Sequence, residues 1–204
     1  MKRILAALVC CSLVAFVPGA QTLAAGTGPD TLVKSVVDEV LAVIKDNKDP
    51  QTLRTLAEQK VLPHFDFRQM TQTAVGKSWR EASASQQQAL ENGFRTLLVN
   101  TYTASLSRSA SGAKTVEVRP VPAGSAAQDE TLVRTLVKES GKPPVAIDYR
   151  MAKESGDWKV VDVTVENVSL VTNYRTTFSQ EIARSGIDGL IKTLEEKTRP
   201  TSKG

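Results

Sequence analysis

The apolar residues of this chain change their repeat near Gly112, from about one in 3.6 positions to every second position. That switch limits the fold more than any motif does. Helices precede it, strands follow, and the helical repeat returns from about Val171. The links between strands are too short for the crossovers that parallel neighbours need, so the strands form an antiparallel meander. The fold class is therefore α+β: a helical N-terminal half, a four-stranded antiparallel sheet and closing C-terminal helices. At 204 residues and 41% apolar content, one domain with a sizeable core is expected.

Asp30 is placed to cap a helix over about 31–46, where Val33, Val36, Val37, Val40 and Ile44 recur at helical spacing. Leu32, Leu41 and Val43 widen that stripe beyond an ordinary one-sided face. Asp49-Pro50 opens a second helix with Leu53, Leu56 and Val61 inward, stopping before Pro63. Asp66 caps a short helix that runs through Val75 and ends at Gly76. Ser83 and Gln86 form a capping-box pattern. They begin the longest helix, about 84–108, with Leu90, Phe94, Leu97, Leu98, Tyr102 and Leu106 on its stripe.

Val116, Val118 and Val121 mark a first strand, ended by Pro120 and Pro122, and Leu132, Val133, Leu136 and Val137 a second. In the third, Val145, Ile147, Tyr149 and Met151 alternate with Ala146, Asp148 and Arg150. Ser155-Gly156-Asp157 turns into the fourth, Trp158–Glu166. Strict alternation there sets Lys159, Val161, Val163 and Val165 against Trp158, Val160, Asp162 and Thr164. After a turn at Glu166-Asn167, Ser169 caps a helix with Val171, Tyr174, Phe178 and Ile182 on one stripe. Gly186 ends it, and a last helix carries Ile187, Leu190, Ile191 and Leu194.

Residues 1–25 read as a cleavable export signal. Lys2 and Arg3 precede an apolar run from Ile4 to Val17, which Pro18-Gly19 breaks before small residues around Ala24 and Ala25. Residues 26–204 then form the single mature domain, which is exported. Cys10 and Cys11 lie inside the apolar run, too early for a lipid-anchor site, so the mature chain carries no cysteine and relies on its core. Removing Lys2 and Arg3 from the 26 basic side chains leaves 24 against 22 acidic ones, a net charge of +2. Those charges are dispersed, which argues against nucleic acid as a partner.

Catalysis has little to stand on. The one histidine, His64, has no histidine partner for a metal, and no G-x-S-x-G or H-E-x-x-H pattern occurs. His64 and Asp66 stand two apart, a spacing that does not bring side chains together on a helix or a strand. A cap aspartate beside a surface histidine is the simpler reading. Asp162 shares the register of Trp158 and Val160, which places it at a sheet face that helices can cover, as a solvated or hydrogen-bonded strand carboxylate. Tyr174 and Phe178 are ordinary core residues on spacing alone. The apolar positions on the first helix, the long helix, the third strand and the Val171 helix are plentiful enough either to fill a core or to wall a pocket.

Trp158 to Phe178, with its Trp-Lys-Val-Val-Asp-Val opening and Val168-Ser169-Leu170-Val171 before Asn173-Tyr174-Arg175, resembles the MlaC family, also described as toluene-tolerance or ABC-transporter auxiliary proteins. Phe65-Asp66-Phe67 with Met70, Gly76 and Trp79, then Phe94-Arg95-Thr96-Leu97-Leu98 with Tyr102, and Gly186-Ile187-Asp188-Gly189-Leu190 extend the likeness along the chain. Asn167 stands where that family commonly has Gly, a departure that a left-handed turn position tolerates.

The resemblance implies an NTF2-like enclosure, a twisted sheet and helices around an apolar cavity. It implies a periplasmic carrier, not an enzyme, that moves glycerophospholipids between the outer and inner membranes and so maintains outer-membrane lipid asymmetry. The phospholipid is cargo, and no cofactor is expected. The implied partners are the outer-membrane lipoprotein MlaA with its porin, and the inner-membrane ABC transporter through MlaD, for a monomeric carrier. Strand parity and helix stripes taken with that fold put Phe94, Leu98 and Tyr102 on or near the cavity. They add Ile147, Tyr149, Met151, Val163 and Val165 from the sheet, and Val171, Tyr174 and Phe178 from the helix after it. Phe67 and Trp79 read as structural. Two other classes stay open: a protein-interaction module with a filled core, and a small periplasmic enzyme with polar groups at a pocket mouth.

Overall fold

The computed structural model describes residues 28–46, 49–109, 114–122, 124 and 128–199. The expected signal at 1–25 with Cys10 and Cys11, much of the loop 123–129 and the tail 200–204 lie outside the described residues. Among those described, no helix is long and apolar enough to cross a membrane.

The elements run α1 (Pro29–Asp46), α2 (Pro50–Leu56), α3 (Phe67–Val75), α4 (Ala84–Ser109), β1 (Lys114–Val118), β2 (Glu130–Glu139), β3 (Val145–Glu154), β4 (Asp157–Val165), β5 (Val168–Ser169) and α5 (Leu170–Thr198). The helix starts follow side-chain chemistry. The Thr52, Gln69 and Thr172 N–H groups donate to Asp49, Asp66 and Ser169. The Ser83–Gln86 box closes in both directions: Gln86 N–H donates to Ser83 Oγ at 3.2 Å, and Ser83 N–H to Gln86 Oε1 at 2.9 Å. Asp30 differs from expectation. It sits inside the first turn of α1, and its Oδ2 accepts from Val121 N–H at 3.1 Å, tying the helix to the chain after β1. Helix α2 does not stop cleanly either; it continues as a π-helical turn, Ala57–Val61, and a 3-10 turn, Leu62–His64.

The sheet is an antiparallel meander in the order β1-β2-β3-β4-β5, five strands where four are expected. The extra one is two residues long. Glu166 (φ 47) and Asn167 (φ 66) both take left-handed backbone, which makes a two-residue hairpin turn that returns Val168–Ser169 onto β4. The far edge of β4 is closed by Phe65, with Asp66 N–H donating to Val160 O at 3.0 Å.

Two hydrophobic clusters hold the layers. One gathers Phe67, Met70, Trp79, Phe94 and Phe178 between α3, α4 and α5; the other sets Val33 of α1 on Val133, Met151, Trp158, Val160 and Val163 of the sheet. Helices α4 and α5 cross closely, since a Cβ at Gly93 would stand 2.9 Å from Leu194 Cβ. The break expected at Gly186 is present: its φ of 72° and ψ of −176° interrupt α5 in a region glycine alone enters readily.

Candidate functional site

Between the two clusters lies a cavity of about 560 Å³. One face of the sheet makes one wall, with Ile147, Tyr149 and Met151 of β3 flanked by Val163 and Val165 of β4 and by Val137 of β2. Helix α1 lies opposite. Its Val33 is buried against the sheet, but Val36, Val37, Val40, Leu41 and Ile44 keep accessible surface because they face the hollow. The remaining wall comes from Ala57, Val61 and Leu62 of the irregular turns and from Phe67, Met70, Leu98 and Tyr102. The lining is aliphatic and aromatic almost throughout.

A bulge shapes the β4 wall. Arg150 pairs with Asp162 but Met151 pairs with Val160, so Val161 is an extra residue on β4. Strict alternation therefore fails, and Val160 lines the cavity together with Val163 and Val165. Asp162 is turned to the other face, away from the register of Trp158 and Val160. There it is 5% exposed and accepts from Ser169 Oγ at 2.6 Å and from Val171 N–H at 3.2 Å, which joins the start of α5 to the sheet. Arg150 approaches it at 3.6 Å.

Of the residues expected at the cavity, Leu98, Tyr102, Ile147, Tyr149, Met151, Val163 and Val165 line it together. Phe94, Val171, Tyr174 and Phe178 are placed elsewhere, in or against the helical cluster. The Phe94 ring meets Tyr174 and Phe178 edge-on, each at a centroid distance of 5.1 Å. Tyr174 and Phe178 of α5 thus pack against Phe94 of α4. Phe67, read as structural, belongs both to that cluster and to the cavity wall. The largest omission is α1. Its signal was the excess width of the apolar stripe, more than a packed helix face needs.

Polar groups at the cavity are few. Glu139 and Lys142 pair at 2.8 Å by the β2–β3 turn. His64 is not the surface residue expected; it is half-buried on the wall, and burial, then Lys159, lowers its pKa against an opposing pull from Glu39. Tyr102 is raised by burial and then by Tyr174. Tyr149 is raised to about 12 by burial alone. Among the described residues, no group of three or more His, Cys, Asp or Glu is arranged to hold a metal.

Fold and site define a class: an α+β domain built around a roomy aliphatic hollow, suited to enclosing a bulky apolar molecule. A family model for the MlaC protein matches residues 34–196. The chain belongs to the MlaC family. It is 23% identical over 186 residues to the intermembrane phospholipid transport system binding protein MlaC of Haemophilus influenzae, covering 86% of this chain and 85% of that protein. It also resembles the solved structure of a phospholipid-binding protein from Ralstonia solanacearum in complex with a phospholipid. That likeness has a TM-score of 0.75 and 35% identity over 83% of this chain and 96% of the other.

Proposed function

We propose that this protein is a phospholipid carrier, exported to the periplasm by its N-terminal signal, that shuttles glycerophospholipids between an outer-membrane complex containing MlaA and an inner-membrane ABC transporter reached through MlaD. The observation that carries the reading is the aliphatic cavity of about 560 Å³ between α1 and the sheet. Family membership and the phospholipid complex of the Ralstonia relative support it.

Physical magnitudes explain why such a device is needed. Two acyl chains contain roughly 30 methylenes at about 0.8 kcal/mol each, so leaving a membrane for water costs roughly 24 kcal/mol. A carrier lowers that cost by offering the chains an apolar wall, and it must do so without holding them much more tightly than a bilayer does. A lining of valine, leucine and isoleucine with few polar groups suits both demands. The same feature opposes a filled-core interaction module, and the sparse polar lining gives an enzyme nothing to work with.

The test is extraction of natively purified protein with organic solvent, followed by mass spectrometry, and transfer of labelled lipid between vesicles by delipidated protein. Phospholipid near one molecule per chain and accelerated transfer are expected. If the protein carries no lipid and takes none up, the reading fails.

A further inference from the structure

Among the described residues, Tyr149 and His64 are the polar groups of the cavity wall that neither pair with another lining group nor lie at the surface. Glu139 and Lys142 satisfy each other, and Tyr102 is 36% exposed. Tyr149 lies in mid-sheet, paired in register with Val133 on one side and Val163 on the other. Both neighbours are buried, at 0% and 8% exposure, and the Tyr149 side chain is on the cavity wall. Its hydroxyl has no hydrogen-bond partner among the described residues, and burial is the only influence acting on it. Tyr174, by contrast, has Thr101 as a hydrogen-bonding partner.

Tyr149 is only half-buried, so its hydroxyl is open to the apolar hollow, where a tyrosine hydroxyl ordinarily finds a partner. When the wall supplies none, the occupant of the cavity is the remaining source. A glycerophospholipid has two kinds of acceptor, the neutral ester carbonyls and the charged phosphate. A phosphate beside Tyr149 would be an unpaired charge among valines and methionine, since the cation on the lining, Lys142, sits at the β2–β3 turn with Glu139. A carbonyl carries no such penalty, and a neutral donor matches a neutral acceptor.

Resting on the phospholipid-carrier reading above, we propose that Tyr149 Oη donates a hydrogen bond to an ester carbonyl of the bound lipid. Tyr149 then selects ester-linked over ether-linked glycerolipids and sets the depth to which the glycerol backbone is drawn in.

The test offers delipidated protein equal amounts of a diacyl phosphatidylethanolamine and its dialkyl ether analogue of the same chain length, in mixed vesicles, and reads the bound ratio by mass spectrometry. The ether analogue lacks the carbonyls and keeps everything else. Wild-type protein is expected to enrich the ester lipid roughly fivefold, the size of one net hydrogen bond. Tyr149→Phe is expected to bring the ratio close to one through a loss of bound ester lipid, with the unfolding midpoint near wild type. Equal binding of the two lipids by the wild type, which needs no variant to observe, overturns the proposal, as does an unchanged preference in Tyr149→Phe. In both cases lipid is still bound and the carrier reading stands. Uptake of neither lipid overturns the carrier reading itself, and this assignment with it.

Discussion

Phe94→Ala separates core packing from cargo contact. Phe94 is 0% exposed and packs in the helical cluster, with the rings of Tyr174 and Phe178 each 5.1 Å away. Truncating a buried Phe costs roughly 3–5 kcal/mol, because the cavity it leaves closes only in part. Each edge-to-face pair adds about 0.5–1.5 kcal/mol beyond area burial, which favours the upper half of that range. In a domain of this size 1 kcal/mol moves Tm by about 2–4 °C, so a loss of about 4 kcal/mol lowers it by about 8–16 °C. The assay is denaturant unfolding of delipidated protein, because bound lipid would add its own stabilisation and mask the difference. The midpoint should fall with an unchanged slope, and lipid bound per folded molecule should stay near wild type. A loss below about 1.5 kcal/mol together with reduced lipid binding would refute the reasoning, since truncating a residue already facing a hollow creates little new cavity.

Val163→Trp places an indole in the cavity beside Tyr149; bound lipid should fall by more than half, while overpacking costs about 1–3 kcal/mol and leaves the domain folded, as lipid extraction and circular dichroism will show. Asp162→Asn exchanges a buried acceptor oxygen for a donor facing Ser169 Oγ or Val171 N–H, and should cost about 1–3 kcal/mol in thermal unfolding without changing which lipid is bound. His64 has a folded pKa below the ordinary 6.5, so the unfolded chain takes up its proton first as pH falls. Its contribution is therefore complete above that value and is lost below it. Between about pH 7.5 and about pH 5.5 His64→Gln should lose less stability than wild type, and an equal loss in both proteins would contradict the burial assigned to this residue.

Local chemistry was legible in the sequence because each signal acts within a few residues. Ser83 with Gln86, Asp66 and Ser169 mark helix starts by hydrogen bonds to N–H groups three positions on, and Gly186 breaks α5 through its own backbone. Asn167 accepts the left-handed turn by the same short-range logic. The change of apolar period gave the order of helices and strands, and with it the α+β class. Tertiary structure alone decided which apolar residues meet one another and which face empty space. Valines at 36, 37 and 40 have the same side chain as valines in a filled core, and only the separation between α1 and the sheet makes them cavity wall. The Val161 bulge depends on how β4 pairs with β3, a long-range contact that strand alternation cannot anticipate, and it moves Val160 and Asp162 to opposite faces. Phe94 and Phe178 are core because their rings meet where α5 packs onto α4, two helices far apart in the chain. A cavity is a relation between layers, and no single segment of sequence contains it.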